Sequence, residues 1–507
     1  MANLFSSFRA GFPQACRPFL HLEDGAVLSY GELLAETARI AHLLTTLGVR
    51  PGDRVATQVA KSPRALLLYL ATVRAGAVHL PLNPAYTLPE VRYFLEDAAP
   101  TCLVCDAALR EPMGSLAEAC GVPVVLGLDA RGEGELAERL AGLPEQFDDV
   151  PRSPEDLAAI LYTSGTTGRS KGAMLSIGNL LANCRTLRDL WRFTANDRLL
   201  HALPIFHTHG LFVATNVTLA AGSSMDFLSR FEVPELLRRM PAATVLMGVP
   251  TFYTRLLADP GFTRECCAGM RLFISGSAPL SAETHRQFAA RTGHSILERY
   301  GMTETNMNTS NPCEGERVPG SVGLPLPGTE LRIADPLTGR DLAAEQPGTI
   351  GVIEVRGPHV FRGYWRNPLR TAEDFRADGY FITGDLGYRD ARGYVFISGR
   401  AKDLVISGGF NVYPAELENL LDSIPGVAES AVIGVPHPDL GEAVVAVVQA
   451  RDPALDEGTV LAGLSGQLAR YKQPRRVVFV AELPRNTMGK VQKNRLREQF
   501  AELFPAS

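Results

Sequence analysis

Hydrophobic positions in the first half of the chain follow two alternating patterns. The segment RALLLYLATVRAGAVHLPLNP has helical spacing up to about Gly76, and it predicts a buried helix, then a short strand and a turn. Other apolar runs are short and continuous, which is typical of buried strands: TCLVCD, VPVVLGL, AAILYTS, ATVLMGV and MRLFISGS. Helical patterns separate these runs, so we predict parallel sheets flanked by helices.

The pattern changes near residue 320. The segments PGTIGVIEVRGPHVFRGYW and GYVFISGRAKDLVISGG are rich in strand formers and punctuated by glycine, which favours a small barrel or meander. Beyond residue 403, helical and strand patterns alternate over about 100 residues, a normal domain size. We therefore predict an α/β protein with two domains. Residues 1–400 form a large N-terminal domain with a β-barrel-like subdomain, and residues 401–507 form a small, mobile α+β lid domain.

The composition narrows the function classes. With 507 residues, of which 46% are hydrophobic and 21% charged, the chain is typical of a multidomain globular protein. A net charge of −5 is atypical of a nucleic-acid binder. The longest membrane-like run, LLLYLATV, is too short to span a bilayer. The N-terminus lacks the apolar core of a secretory signal, so we expect a cytoplasmic protein, with organelle targeting left open by Arg9 and Arg17.

Eight cysteines are scattered along the chain. Cys102 and Cys105 form a C-x-x-C motif, but no second pair or histidine cluster completes a zinc site. A buried strand explains the motif better, because cysteine behaves there as a small hydrophobe. We expect free thiols in a reducing compartment.

Residues 161–172, LYTSGTTGRSKG, carry the clearest chemical signal. Glycines let the backbone approach an anion, hydroxyls supply donors, and a lysine supplies a positive charge. The spacing is not that of a Walker A loop, G-x-x-x-x-G-K-[ST]. A flexible linker is the alternative, but linkers rarely follow an apolar strand. The segment predicts a polyphosphate-binding loop of another class.

Five further motifs follow this loop: ISGSAPL, ERYGMTET, FITGDLG, SGRAKDLVISGGFNVYP and LPRNTMGKVQK. The six motifs, in this order, closely resemble the adenylate-forming superfamily of acyl-CoA synthetases, peptide-synthetase adenylation domains and firefly-type luciferases. The resemblance spans essentially the whole chain. One position departs from it, since Ser170 stands where the family usually has proline, and the donors of the loop are unaffected. The resemblance implies that a carboxylate attacks the α-phosphorus of ATP and that the acyl-adenylate then meets a nucleophile.

The same resemblance implies ATP-binding roles. The β- and γ-phosphates would contact Thr163, Ser164, Gly165, Thr166, Thr167, Gly168 and Lys171. Glu304, which alone could equally be a solvated turn carboxylate, would hold Mg²⁺, a cation that prefers oxygen ligands. Thr303 would donate to the α-phosphate, and Asp385 and Arg400 would reach the ribose. Gly276, Ser277 and Ala278 would pack against the adenine, and Tyr300 and Gly301 would also bind ATP.

Lys490, in PRNTMGK, matches the family lysine that bridges ATP and the carboxylate, so Lys490, Thr303 and Glu304 form the implied catalytic set. Lys402 matches the hinge between the domains. Rotation there would move Lys490 out of the active site and bring in the SGGF segment. Gly408 and Gly409 of that segment would then lie close to the pantetheine arm of CoA. Acylation would remove the charge of Lys490, so a lysine acyltransferase is a candidate partner.

Three acceptors of the acyl group compete. A peptide-synthetase adenylation domain would normally be followed by a carrier protein, and the sequence ends soon after Lys490 without a carrier-like serine motif. A luciferase would need an extended aromatic pocket, whereas the chain has two tryptophans. We predict a free-standing CoA ligase. A stand-alone adenylation domain that loads a carrier protein and a binding protein with a decayed site are the alternatives.

The segments that line the acyl pocket in this family read PIFHTHGL, VPTFYTR and ERYGMTETNMN here. Arg255 and Arg299 lie in them, and a buried, unpaired guanidinium is costly. A second carboxylate on the substrate would pair with arginine bidentately, whereas the alternative is an internal partner such as Glu298. The three segments resemble those of malonate–CoA ligases, which implies malonate and often methylmalonate as the acid. Another short-chain or dicarboxylic acid is the alternative.

By this resemblance, five residues would bind the acid: His207, Thr208, Arg255, Arg299 and Met307. Thr208 and Met307 would flank C2 of malonate. A difference of one methylene there changes the binding free energy by only about 1–3 kcal/mol, so methylmalonate should also react. ATP and CoA would be co-substrates and Mg²⁺ the cofactor. We expect a monomer or weak dimer that binds no nucleic acid.

Overall fold

The structure is a computed structural model that describes residues 3–163, 170–343, 346–464, 467–486 and 489–504. Its strands in chain order are β1 (Pro18–His21), β2 (Val27–Ser29), β3 (Arg54–Gln58), β4 (Val78–Pro81), β5 (Cys102–Cys105), β6 (Val124–Gly127), β7 (Leu157–Thr163), β8 (Lys171–Ser176), β9 (Arg198–His201), β10 (Ser224–Phe227), β11 (Val245–Gly248), β12 (Leu272–Ser275), β13 (Leu297–Met302), β14 (Asn306–Ser310), β15 (Leu324–Pro325), β16 (Glu330–Ala334), β17 (Gly351–Arg356), β18 (Phe381–Arg389), β19 (Val395–Arg400), β20 (Val405–Ser407), β21 (Phe410–Val412), β22 (Val427–His437), β23 (Gly441–Ala450) and β24 (Arg476–Val480).

The α-helices are α1 (Leu4–Arg9), α2 (Tyr30–Thr46), α3 (Pro63–Arg74), α4 (Leu88–Ala98), α5 (Arg110–Ala119), α6 (Glu135–Glu138), α7 (Ile177–Leu190), α8 (Asn216–Ala221), α9 (Val233–Arg239), α10 (Pro250–Ala258), α11 (Ala282–Thr292), α12 (Pro368–Glu373), α13 (Pro414–Leu421), α14 (Glu457–Leu464) and α15 (Lys493–Gln499). A π-helix spans His209–Thr215, and short 3₁₀ turns span Ala107–Leu109, Met240–Ala242 and Ala401–Asp403. Within the described residues, no helix is long and apolar enough to cross a membrane.

Two largely parallel sheets form the centre of the N-terminal part. One has the strand order β15-β14-β13-β12-β11-β9-β10-β1-β2, with neighbouring strands parallel from β13 to β1. The other has the order β6-β5-β3-β4-β7-β8, and only β8 pairs antiparallel there. Both have helices packed on their faces and share one large apolar core. The predicted helix-flanked parallel sheets are therefore confirmed.

Antiparallel sheets dominate the second half of the chain. Strands β16 to β19 form a four-stranded meander, which agrees with the predicted barrel or meander. Strands β20 to β23 form an antiparallel sheet that β24 extends by parallel pairing with β23. Helices α13 and α14 pack on this sheet over a core of their own, as an α+β unit requires. The 3₁₀ turn with Lys402 lies between the two sheets, and the boundary at residue 400 stays a prediction.

Local sequence explains where the predicted elements begin and end. The Ser62 hydroxyl caps the first turn of α3, Pro63 occupies its first position, and the helix stops at Ala75 before Gly76, whose φ is +75°. The predicted helix end is thus confirmed. Cys102 and Cys105 are fully buried in β5 as free thiols, which confirms the strand.

Candidate active site

The candidate site lies at one edge of the nine-stranded sheet. Parallel strands β11, β12 and β13 end there side by side, and their carboxyl ends lead into three of the sequence motifs. Ligands of open α/β sheets bind at such an edge. After β13 the chain turns sharply into β14, and Gly301 is required, because a Cβ atom there would lie 1.8 Å from the Asn306 carbonyl oxygen. Asn306 itself has a φ of +51°, a strained conformation for a residue with a side chain.

The ends of the predicted phosphate loop meet the ERYGMTET segment. Thr163 ends β7 and pairs with Lys171 at the start of β8. The Thr163 hydroxyl donates to Glu304 Oε1 at 3.3 Å, and Lys171 Nζ lies 3.6 Å from an Asp374 carboxylate oxygen. Lys171 also lies over the ring of Tyr364. The remaining predicted loop residues lie outside the described part of the chain: Ser164, Gly165, Thr166, Thr167 and Gly168.

Glu304 has the environment that a magnesium ligand needs. It is buried, and it accepts hydrogen bonds from Thr163 and, at 3.1 Å, from the Tyr364 hydroxyl. Burial raises the pKa of Glu304, and the hydrogen bond from Tyr364 and the charges of Arg400 and Lys171 oppose this rise. No lysine or arginine pairs with it within the described residues. A divalent cation would stabilise the ionised form, so the donor fits Mg²⁺. Thr303 lies beside it in the turn.

The predicted ribose residues form a hydrogen-bonded group. Asp385 in β18 lies opposite Arg400 in β19, and Arg400 Nε lies 2.6 Å from Asp385 Oδ1. The Tyr300 hydroxyl donates to the other oxygen of Asp385. Asp385 raises the pKa of Arg400, and burial and Asp385 hold the pKa of Tyr300 well above its usual value. The structure therefore brings these three predicted residues together with their charges compensated.

The turn after β12 contains the three residues predicted to contact adenine, Gly276, Ser277 and Ala278. Ser277 has a φ of +72°, and its hydroxyl lies 3.2 Å from His209 Nδ1. Gly276 has an additional role, because a Cβ atom there would lie 2.4–2.6 Å from the guanidinium of Arg299. The absent side chain therefore makes room for Arg299.

Arg299 is a buried cation that has no anionic partner among the residues that the structure describes. The residue is 3% exposed, and Nε and Nη2 have no hydrogen-bond partner within the described residues. Burial lowers its pKa to about 9. Glu298, the internal partner considered as an alternative, precedes it in β13 and so points to the opposite face of the sheet. That alternative is wrong for Arg299.

Glu298 is itself buried without a cation. Its Oε1 accepts from the Leu280 backbone N–H at 3.3 Å, and its Oε2 has no partner within the described residues. Burial raises the pKa of Glu298 to about 8, and the bond from Leu280 opposes this rise. With a pKa of about 8, Glu298 is mostly protonated at pH 7, and its carboxyl group therefore does little to offset the charge of Arg299.

Several polar atoms near Arg299 also lack partners. Thr208 donates to Asn306 Oδ1 at 2.9 Å, and both residues are buried, as is Met307. Within the described residues, four further buried atoms of this region have no partner: Ser275 Oγ, His209 Nε2, Asn306 Nδ2 and Asn308 Nδ2. Such a concentration of unsatisfied groups is unusual in a native protein and points to a ligand.

The sequence analysis missed Ser275, His209 and Asn306. Local signals for all three existed in the sequence: Ser275 lies in the quoted ISGSAPL motif, His209 lies in the quoted FHTHG segment, and Asn306 follows YGMTET directly. Burial, with smaller contributions from Lys490 and Arg299, lowers the pKa of His207 to about 3. Burial and Arg299 also lower the pKa of His209 well below its usual value. Both histidines are therefore neutral at physiological pH.

The expectation that Arg255 is buried in the acyl pocket is wrong. Tyr253 and Leu256 form the buried face of α10, and Arg255 is exposed. It lies two residues from Tyr253, which is more than half a helical turn, so it faces away from that side of the helix. Its role in binding the acid stays a prediction, and of the two arginines only Arg299 is a buried charge.

Lys490 reaches this site from the C-terminal part of the chain. The neighbouring Gly489 packs against Thr251, and a Cβ atom on Gly489 would lie 3.4 Å from the Thr251 hydroxyl. Burial and Arg400 lower the pKa of Lys490, while Asp385 and Glu304 raise it. The Lys490 side chain is exposed to solvent.

The proposed hinge and CoA residues are exposed. Lys402 lies in the 3₁₀ turn before β20, and Gly408 and Gly409 form the turn between β20 and β21. The φ values of the two glycines are +58° and +83°, which favour glycine. The hinge and CoA-binding roles of these residues stay predictions.

Comparison with known proteins decides the family. Residues 11–365 match the AMP-binding enzyme family, and residues 416–490 match the AMP-binding enzyme C-terminal domain. The chain belongs to the AMP-binding enzyme family. It is 36% identical to an indoleacetate–CoA ligase of Aromatoleum aromaticum, over 94% of this chain and 93% of that protein. It is 34% identical to a malonate–CoA ligase of Arabidopsis thaliana, over 98% of this chain and 89% of that protein.

Solved structures of similar proteins superpose closely on this AMP-binding enzyme. ATP-bound MatB from Rhodopseudomonas palustris is 57% identical, covers 99% of both chains and superposes with a TM-score of 0.96. The apo structure of the same protein, at the same identity and coverage, gives 0.87. This chain therefore superposes more closely on the ATP-bound structure than on the apo structure.

Proposed function

We propose that the chain ligates malonate to coenzyme A in an ATP-dependent reaction that proceeds through malonyl-adenylate and releases AMP and pyrophosphate. The observation that carries the choice of acid is the buried, unpaired guanidinium of Arg299. A second carboxylate on the substrate would pair with it and remove the cost of the uncompensated charge. The similarity to the Arabidopsis malonate–CoA ligase supports the same choice.

In the adenylation step, this chain would hold three anions close together. Arg299 would bind the distal carboxylate of malonate, and Lys490 would lie between the reacting carboxylate and the α-phosphate, where a cation offsets their repulsion. Lys171 and the hydroxyl of Thr163 would face the outer phosphates. Positioned charges and donors of this kind supply most of the catalysis in phosphoryl-group chemistry, because little covalent chemistry is left to the protein.

Glu304 would hold Mg²⁺, and the hydroxyls of Thr163 and Tyr364 orient its carboxylate. When bound, the ion would neutralise charge on the phosphate oxygens. Asp385 would accept the ribose hydroxyl protons, and its bonds to Arg400 and Tyr300 orient its carboxylate. Gly276, Ser277 and Ala278 would leave space for adenine beside this group.

For thioester formation, rotation about Lys402 would remove Lys490 and bring Gly408 and Gly409 to the cleft. A cavity of about 400 Å³ borders the segment that carries His207, and Pro84, Ile205, Phe206, Phe231 and Phe252 line part of it. The thiol arm of CoA would enter through this mostly apolar space. The neutral His207 beside it would add no positive charge to hold back the leaving AMP.

Methylmalonate would be a second substrate. Thr208 and Met307 are both buried in segments that border the proposed acid site, and neither supplies a charge that would reject an extra methyl group. Discrimination would rest on shape alone, which is worth only about 1–3 kcal/mol per methylene. An aromatic monocarboxylic acid, such as the indoleacetate named for one relative, would leave Arg299 unpaired.

The test measures AMP and pyrophosphate release with malonate, methylmalonate, succinate, acetate, butyrate and coumarate, each with and without CoA. We expect turnover that depends on CoA and is confined to malonate and its 2-alkyl relatives. Arg299→Leu should abolish the preference for malonate. Arg286→Leu, which removes the same charge from an exposed position of α11, should keep it, and this control separates loss of the acid site from mere loss of a positive charge. A preference for acetate or butyrate would contradict the choice of malonate and leave an acyl-CoA synthetase of another acid.

A further inference from the structure

Three sulfur atoms meet at the opposite end of β11 and β12 from the candidate active site. Cys266 Sγ lies 3.8 Å from Cys267 Sγ, and Met240 Sδ lies 3.9 Å from the first and 3.7 Å from the second. Met240 lies in the 3₁₀ turn after α9, and the two cysteines form the turn before β12. Within the described residues, no other cysteine contacts two sulfur atoms.

The three sulfurs form a nearly equilateral triangle. The centre of such a triangle lies about 2.2 Å from each corner, close to the roughly 2.3 Å that separates a metal ion from a thiolate sulfur. Two thiolates and one thioether are soft ligands of the kind that select Cu(I). Zinc would need a fourth ligand, and no group of three or more histidine, cysteine or acidic side chains that could hold a metal lies within the described residues.

We propose that Cys266, Cys267 and Met240 form a binding site for one Cu(I) ion in trigonal sulfur coordination. The ion would bond to both cysteine sulfurs as their thiol protons leave to solvent, and the Met240 thioether would add its lone pair without a proton. No electron is transferred in this step. The site is independent of the proposed ligase activity, because it uses no residue of the acyl or ATP site.

The surroundings provide both rigidity and access. Met240 and Cys267 are fully buried in the apolar cluster under α9, α10 and α11, so their sulfur atoms are held in place. Cys266 is partly exposed, which gives an ion a path from solvent. The Cys266 thiol donates to the Thr263 carbonyl at 3.1 Å, a contact that the metal would replace. A disulfide between the two cysteines is disfavoured, because adjacent Cα atoms are only about 3.8 Å apart.

The test titrates the full-length protein with Cu(I) under anaerobic, reducing conditions against a coloured Cu(I) chelator, which removes ions bound weakly at other thiols. We expect one tightly bound equivalent, a thiolate-to-copper absorption band in the near ultraviolet, and a higher melting temperature. Cys266→Ser should lower the affinity by more than about 100-fold, because losing a ligand costs more than losing an outer partner. Met240→Leu, which preserves the core, should lower it less, by about 10-fold, because a neutral thioether is a weaker ligand than a thiolate.

Cys313→Ser is the matched control, because Cys313 is also partly exposed and its thiol contacts a backbone carbonyl, that of Trp191. Its affinity for Cu(I) should equal that of the unaltered chain. Equal copper binding by Cys266→Ser and the unaltered chain, or no binding in competition with the chelator, would show that the three sulfurs only pack together. Adenylation activity without copper should be the same in Cys266→Ser, which also checks that this variant folds.

Discussion

Two arginines at the site occupy opposite electrostatic situations. Arg400 is paired with Asp385 at 2.6 Å, and the Tyr300 hydroxyl completes that group. Arg299 is more deeply buried and has no anionic partner in the described part of the chain, although Glu298 adjoins it in sequence. A compensated charge orients a group before the ligand arrives, whereas an uncompensated buried charge is destabilising until a ligand neutralises it. This contrast is consistent with the proposed roles of Arg400 in a pre-organised ribose site and of Arg299 in recognition of an anionic acid.

The largest expected effect comes from Lys490, which experiences the charges of both arginines. Lys490→Ala should lower the rate of adenylation by at least about 100–1,000-fold, because a charge aimed at the transition state is lost. Pyrophosphate release measures this step. Thioester formation from supplied malonyl-adenylate and CoA should be largely intact, and loss of both half-reactions would contradict the assigned role.

The next effect separates the two arginines directly. Arg299→Leu should raise the KM for malonate by about 100-fold with little change in the KM for ATP, because a buried charge contact is lost. The same change should raise the free energy of unfolding by about 1 kcal/mol, since it removes an unpaired buried charge. Steady-state kinetics and urea unfolding measure the two quantities.

Arg400→Leu should have the opposite signature. It should raise the KM for ATP and lower the free energy of unfolding by about 1 kcal/mol, a modest cost because Arg400 is partly exposed. If Arg299→Leu and Arg400→Leu both destabilise the protein and both weaken ATP and malonate together, Arg299 has a structural role and the contrast between the two arginines fails.

Glu298 should make the free energy of unfolding depend on pH. Its pKa rises from 4.5 to about 8 on folding, so the folded chain holds an extra proton between these values. The stability that this proton contributes is complete below the lower value and declines by about 1.4 kcal/mol per pH unit as the pH rises towards 8. Glu298→Gln should lack this decline, because glutamine does not titrate.

Urea unfolding of both proteins at several pH values between about 5 and 8 measures the difference in slope. Parallel curves for the unaltered chain and Glu298→Gln would show that Glu298 is ionised in the folded protein. In that case the negative charge next to Arg299 in sequence would weaken the case for an anionic substrate.

The smallest expected effect concerns Arg255. Because its side chain is exposed, Arg255→Leu should change the KM for malonate by less than about 3-fold, as expected for a contact in water. The free energy of unfolding should be unchanged within about 0.5 kcal/mol. A change as large as that of Arg299→Leu would mean that Arg255 turns into the pocket when malonate binds, as the sequence analysis expected.

The sequence by itself determined the fold class and most of the site. Short apolar runs and helical spacing predict the parallel sheets, because a strand that is buried on both faces of its sheet consists of consecutive apolar residues. The resemblance of the six motifs to the adenylate-forming superfamily also predicts the phosphate and ribose segments, and it can be recognised in the sequence because each motif is a continuous stretch. Asp385, Arg400 and Glu304 could therefore be named from the sequence, and the fold places them together.

Only the tertiary structure decided which charges are paired. Sequence adjacency suggested Glu298 as a partner of Arg299, but the alternation of a strand sends the two side chains to opposite faces. Helical periodicity likewise put Arg255 outside the pocket, and only packing shows that Gly276 makes room for Arg299. The triangle of Cys266, Cys267 and Met240 joins segments about 26 residues apart. Pairing and burial depend on contacts between distant segments, which a local pattern does not record.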